Sequence, residues 1–180
     1  KDEIIFERIV RLKQIRDRYE SFEKNKIIQI MSQLRHHLIN MDEIDKICKQ
    51  INEHERFIAY GSPTLLNLLF DFQVDMKIFD KTVLLSSVNN GKILVPKNND
   101  LIGLFTATGR LLGCCDAKFQ EVVLDTKNTK ILFSKSQINS EYIDFSFSMD
   151  TDNDYYEMHY VFLFLFDLIK TRYYELYIKE

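Results

Sequence analysis

The sequence is poor in the two residues that punctuate a backbone. Its 180 residues include five glycines and two prolines, about 4% where ordinary usage is about 12%. That scarcity excludes collagen-like, linker-like and low-complexity chains. It also argues against an all-β sandwich, which needs a turn signal roughly every 8–12 residues. The seven are confined as well as few. Gly61, Pro63, Gly91, Pro96, Gly103, Gly109 and Gly113 fall in one 53-residue window, and neither type occurs in the 60 residues before it or the 67 after it. Backbone freedom is concentrated mid-chain, so a ligand cradled by backbone belongs there.

Cysteine is also scarce. Cys48, Cys114 and Cys115 are odd in number and two are adjacent, which fits neither a disulfide framework nor a zinc spacing and predicts a reducing, cytoplasmic setting. No apolar run is long. The longest, 160–169, has ten residues and contains Asp167, about half a membrane span, and reads as a buried helix with no membrane partner. There is no secretory signal pattern. Charge of one sign is lacking too: the net value is −3, so no electrostatic footprint for nucleic acid or anionic lipid is present. The chain begins at Lys1 rather than methionine, and the expectation is a piece of something longer.

What is present is periodic. Ile27, Ile30, Met31, Leu34 and Leu38 recur at helical spacing within a helical stretch 1–39 that is broken near Ser21. Asn40 with Glu43 is a capping-box pair opening a helix over 41–54, with Ile44, Ile47, Cys48 and Ile51 on one face. The run 56–60 reads as a strand ending at Gly61, and Pro63 suits the first turn of a helix reaching about residue 75. Strands are expected at 81–85, 101–105, 129–134 and 142–147, with a helix at 110–124. A second capping box, Asp154 with Glu157, opens a long aromatic helix through Phe162, Phe166, Ile169 and Tyr173. The stretch with Asn89, Asn90, Gly91 and Pro96 has no clear assignment.

Apolar strands alternating with helices predict an α/β fold, a three-layer α-β-α sandwich with a five-stranded, mainly parallel sheet preceded by N-terminal helices. Such sheets bind ligands at the carboxyl ends of their strands. Two strand-to-helix turns suit that task, Gly61-Ser62-Pro63-Thr64 and Thr106-Ala107-Thr108-Gly109, since both offer backbone N–H groups and hydroxyls to an anion. Ser86 and Ser87, after the second strand, could add hydroxyls.

With these residues in place, the chain from about 42 to the end resembles the sugar isomerase (SIS) domain, in the version found in RpiR/MurR-type bacterial transcriptional regulators. The 56–64 segment resembles the family's first strand and its Gly-x-Gly-x-Ser turn. The 100–109 segment resembles its "D-x-hydrophobic-x-x-S-x-S-G" strand and loop. Tyr142-Ile143-Asp144-Phe145 resembles the last "A-D" strand, and the helix holding Asp167 resembles the terminal one.

The resemblance implies a sugar phosphate lying across the two turns. Its phosphate would meet Thr106, Ala107, Thr108, Gly109 and Arg110, with Gly61, Ser62 and Thr64 in the first turn and Ser86 and Ser87 as additional contacts. The departures are specific. Pro63 replaces the second glycine, Leu65 falls where a serine hydroxyl belongs, and Leu111 replaces a threonine. Each lost hydroxyl contact to a charged phosphate weakens binding by roughly 1.5–3 kcal/mol, which Arg110 or Thr64 would have to offset.

Other constellations fail on geometry. His36 and His37 are adjacent and so about 100° apart on a helix, which prevents joint chelation. Asp150, Asp152 and Asp154 resemble a calcium loop, but Tyr155 and Val161 stand where glycine and the bidentate glutamate are needed. His54 at a helix end suits the dipole. His159 lies in the terminal helix, the region that supplies acid–base groups in the family's enzymes. No cofactor, metal or catalytic residue is expected.

The expectation is therefore an effector-sensing and dimerisation domain of an RpiR-like regulator that is not itself an enzyme. Residues 1–40 form its helical linker and dimerisation segment, and residues 41–180 its SIS-like domain. Its partner is a phosphorylated sugar, its DNA contact comes only through an upstream helix-turn-helix domain, and it assembles as a homodimer or homotetramer. A sugar-phosphate isomerase and a degenerate module that only dimerises remain the alternatives.

Overall fold

The computed structural model describes residues 40–88, 92–113, 116–148 and 155–179. All of these fall in one compact unit. The helices expected over 1–39, the Asn89-Asn90-Gly91 turn, the Cys114–Cys115 pair and the acids at 150–154 lie outside the described residues.

Five strands form one sheet: β1 (Arg56–Gly61), β2 (Thr82–Ser87), β3 (Asp100–Thr106), β4 (Lys130–Ser134) and β5 (Phe145–Ser148). Every neighbouring pair is parallel, in the order β2-β1-β3-β4-β5. The α/β sandwich expectation holds, and the reason is visible in the strands. All residues of β3 and β4 are buried, as the continuous apolar runs require of a sheet covered on both faces. The order reverses between β1 and β3. That is the topological switch point of a doubly wound sheet, where a crevice opens at the carboxyl ends.

The helices are α1 (Met41–Glu53), α2 (Pro63–Leu66), α3 (Phe70–Ile78), α4 (Arg110–Gly113), α5 (Ala117–Phe119) and α6 (Tyr155–Tyr177). One face of the sheet is aromatic. Phe105 stacks on Phe133 at 4.7 Å, and Phe72 of α3 and Phe166 of α6 close over them at 4.9 Å from each other. The helix α1 packs on α6, where Arg172 grips Asp45 through two bonds of 2.7 and 3.0 Å and the Tyr173 hydroxyl donates to Asn52. The opposite face, with Ile58, Tyr60, Ile102, Leu104 and Leu132, is covered by Phe119, Val123 and Leu124.

Several extents differ from the sequence reading. The helix expected to run from Pro63 to about residue 75 is α2, a 3-10 turn Asn67–Leu69, and α3. The helix expected over 110–124 is α4, then α5 capped by the Asp116 side chain, then a π-helical turn Gln120–Leu124. Asp116 is the stop-and-start signal within that span, because its carboxylate accepts the Phe119 amide at 2.7 Å. The last strand begins at Phe145, since Asp144 is spent accepting the Lys130 amide at 2.8 Å. Asn40 does precede α1, but its carbonyl rather than its side chain takes the Glu43 and Ile44 amides. The unassigned stretch is an irregular strap, 92–99, in place of a crossover helix.

Candidate functional site

The two turns singled out by the sequence meet at the switch point. In the β1–β3 ladder Gly61 pairs with Phe105, so the chain leaves both strands side by side at their carboxyl ends. Gly61 is needed there: a Cβ on it would sit 3.0 Å from both the Phe105 Cβ and its carbonyl oxygen. The adjacent strand cannot yield such space without backbone movement.

In the second turn Thr106 is only 6% exposed. Ala107 is half-buried, and Thr108 and Arg110 are exposed. Gly109 turns the loop with φ +75°, the left-handed region. Its carbonyl accepts the Leu112 amide at 3.0 Å, and Ile138 closes over it, so a Cβ there would lie 2.6 Å from the Ile138 Cδ1.

In the first turn Ser62 caps α2, its hydroxyl accepting the Leu65 amide at a long 3.5 Å. Pro63 and Thr64 are exposed, whereas Leu65 is buried in the core. Leu111, the other departure from the family pattern, packs against the second face of the sheet.

Ser86 and Ser87 also lie at this edge, with Ser86 opposite Tyr60 and Ser87 opposite Gly61. Ser86 is buried and its Oγ accepts the Leu94 amide at 3.1 Å, while the Tyr60 hydroxyl donates to the Leu94 carbonyl at 2.7 Å. Burial, reinforced by Asp100, raises the Tyr60 pKa, so the phenol keeps its proton and remains a donor. Together these bonds fasten the strap across the ends of β2 and β1.

The sequence reading missed this strap and two hydroxyls that continue the row from Thr106, those of Ser134 and Ser148. Thr106, Ser134 and Ser148 are register partners across β3, β4 and β5. Each is the last residue of an apolar strand, and that shared ending is the signal that could have found them. The Ser134 hydroxyl donates to the Ser136 carbonyl at 2.7 Å.

The opposite edge of the sheet is ionic and structural. Arg56 clasps Asp100 with its Nε at 2.8 Å, and the Lys97 amide donates to the same carboxylate at 2.6 Å. Burial opposes charge on Asp100, yet Arg56 and Lys97 together hold its pKa below the usual range. Lys130 is buried and donates to the Thr126 and Asn128 carbonyls, and burial lowers its pKa. These charges are remote from the crevice and clamp strand starts. Among the described residues no group of His, Cys, Asp and Glu could hold a metal ion, and no helix is long and apolar enough to cross a membrane.

No family model and no curated protein matches the chain. Solved structures do. A hypothetical protein of Methanococcus jannaschii, whose structure is described as inferring a 3-hexulose-6-phosphate isomerase function, aligns with a TM-score of 0.67 at 14% identity, over 85% of this chain and 89% of that one. Vibrio vulnificus NanR complexed with ManNAc-6P aligns with a TM-score of 0.67 at 11% identity, over 94% of this chain and 66% of that one. The C-terminal domain of glucosamine-fructose-6-phosphate aminotransferase from Francisella tularensis aligns with a TM-score of 0.60 at 18% identity, over 83% of this chain and 43% of that one.

These likenesses correct one expectation. The statement that the chain is not an enzyme does not stand, because its fold is shared with a protein described as an isomerase and is consistent with such activity. The five-stranded parallel sheet and its flanking helices are the α/β fold of these solved structures.

Proposed function

We propose that the chain is a phosphosugar-binding domain whose ligand spans the crevice between the ends of β1 and β3. The observation that carries this reading is Thr106. The residue is buried at the end of β3, beside the switch point and a loop turned by Gly109. The phosphate is held by the hydroxyls of Thr106 and Thr108, the backbone amides of Ala107 and Gly109, and the Arg110 guanidinium, which suits a phosphate in charge and shape. Gly61, Ser62 and Thr64 line the sugar end, with Ser86 and Ser87 beside them.

In this reading the domain, residues 41–180, senses an effector for an RpiR-like cytoplasmic regulator, and residues 1–40 form a helical linker that joins two copies. Ligand binding shifts how the copies are held, and so how DNA-binding segments outside this chain are presented. That requires the ligand to bind one arrangement better than the other. The likeness to NanR complexed with ManNAc-6P supports this reading. Calorimetry with a panel of sugar phosphates tests it: binding in the millimolar range or tighter is expected, and no heat with any of them would refute it.

A second reading is favoured by the likeness to the protein described as inferring isomerase function. Here the same crevice interconverts aldose and ketose phosphates. Turnover of any aldose phosphate, abolished by Thr108→Val, would establish it, and it does not exclude a sensing role.

A further inference from the structure

The loop 106–109 is held in shape from outside itself. Thr106 and Ser134 are register partners, so the chain leaves β3 and β4 side by side. From Thr106 it turns through Gly109, and from Ser134 it enters an irregular arm, residues 135–144, that leads to β5. The arm is tied at both ends. At its start the Ser134 hydroxyl donates to the Ser136 carbonyl at 2.7 Å. Further on, the Ile143 amide donates to the Ser140 carbonyl at 3.2 Å and the Gln120 side-chain amide to the Tyr142 hydroxyl at 3.2 Å. Asp144 then accepts the Lys130 amide at 2.8 Å.

Between those ties, Ile138 is the only hydrophobic residue over 135–140. Gln137 and Asn139 beside it are exposed, whereas Ile138 is half-buried against the core cluster that Leu111 and Leu112 also join. It reaches the 106–109 loop at Gly109. A Cβ on Gly109 would lie 2.6 Å from the Ile138 Cδ1 and 3.6 Å from its Cγ1. Apart from the chain neighbours of Gly109, Ile138 alone among the described residues comes within 4 Å of that point. A glycine with nothing packed on it adopts left- and right-handed φ about equally readily. Gly109 stands at φ +75° with the Ile138 methyl filling the space beside it. We propose that Ile138 is a positioning residue for phosphate-monoester binding: it holds Gly109 in the left-handed turn, so that the amides and hydroxyls of the loop converge before the ligand arrives. Such pre-organisation raises affinity by removing the cost of ordering the loop. The proposal rests on the reading of residues 106–110 as the phosphate loop and adds what fixes that loop's shape.

Calorimetry on the full chain, with inorganic phosphate and a panel of sugar 6-phosphates as probes, tests it in four variants. Ile138→Ala removes the contact. Ile138→Val removes only the Cδ1 methyl and serves if the alanine variant fails to fold. Ile138→Leu keeps a δ carbon and is the rescue. Val122→Ala, in the π-helical turn, trims the packing on the same cluster away from the loop. Ile138→Ala should bind roughly fivefold more weakly, as if the competent loop had fallen to about one fifth of the population. Ile138→Val should lose affinity in the same direction, while Ile138→Leu and Val122→Ala bind as the unaltered chain does. Hydrogen exchange at the Leu112 amide, which donates to the Gly109 carbonyl, should quicken in Ile138→Ala, with the Ile102 amide on the Thr129 carbonyl unchanged. Equal affinity of Ile138→Ala and the unaltered chain overturns the positioning role and leaves the phosphate reading standing. An equal loss in Val122→Ala, or weaker binding without faster exchange at Leu112, also overturns it. No binding of any probe by the unaltered chain overturns the phosphate reading and this proposal with it.

Discussion

Gly103 of β3 lies directly under the ring of Phe57 on β1. A Cβ on Gly103 would sit 2.5 Å from the Phe57 Cε2 and Cζ, and 2.9 Å from the Phe105 ring. The missing side chain is what lets Phe57 pack edge-on against both Phe105 and Phe72, joining the sheet to α3.

Gly103→Ala should therefore destabilise the fold by about 1–3 kcal/mol, the usual range for overpacking. Thermal unfolding of the variant and of Gly103→Ala combined with Phe57→Leu measures it. The smaller residue at 57 should restore part of the loss, because it removes the ring atoms that clash.

The Arg56–Asp100 clamp predicts an acid limb. The folded pKa of Asp100 is depressed, so its contribution is complete above the unfolded value of about 4 and is lost as pH falls through the lower folded value. Denaturant unfolding should show stability declining below about pH 4. Arg56→Met would leave a carboxylate only 1% exposed without its cation and should cost about 3–5 kcal/mol at neutral pH.

The strap is held by few bonds. Ser86→Ala removes the acceptor of the Leu94 amide and should cost roughly 1 kcal/mol. Hydrogen exchange at Leu94 should quicken several-fold, with the protection of β1 and β3 unchanged.

Cys48 is fully buried against α6, and burial, with Asp45 adding to it, pushes its thiol up to about 12. It should resist thiol reagents in the native chain and react only on unfolding. Mass spectrometry of a labelling time course checks this.

Much of the fold was legible because β1, β3 and β4 are short apolar runs whose burial on both faces leaves no alternation to confuse the reading. Gly61 and Gly109 were legible as special positions, and the structure gives each a reason: close approach of Phe105 at Gly61 and a left-handed φ at Gly109. What could not be read was tertiary. The pairing of Arg56 with Asp100 depends on both residues starting parallel strands in register, a fact no local pattern carries. Asp100 thus looked like part of a family motif when its task is to anchor a strand start. The helix over 110–124 misled because it was read straight across Asp116, whose cap restarts the backbone. Thr106 was legible as a candidate, but its burial was not.

The central claim is that Thr106 and its loop hold a phosphate. Isothermal titration of sugar 6-phosphates into the chain, beside Thr106→Val and the matching unphosphorylated sugars, tests it most directly. The account predicts binding of at least one phosphorylated sugar, none of its unphosphorylated form, and at least tenfold weaker binding by Thr106→Val, about 1.4 kcal/mol, with unchanged melting. Equal affinity of Thr106→Val and the unaltered chain, or no heat at millimolar concentration, would contradict it.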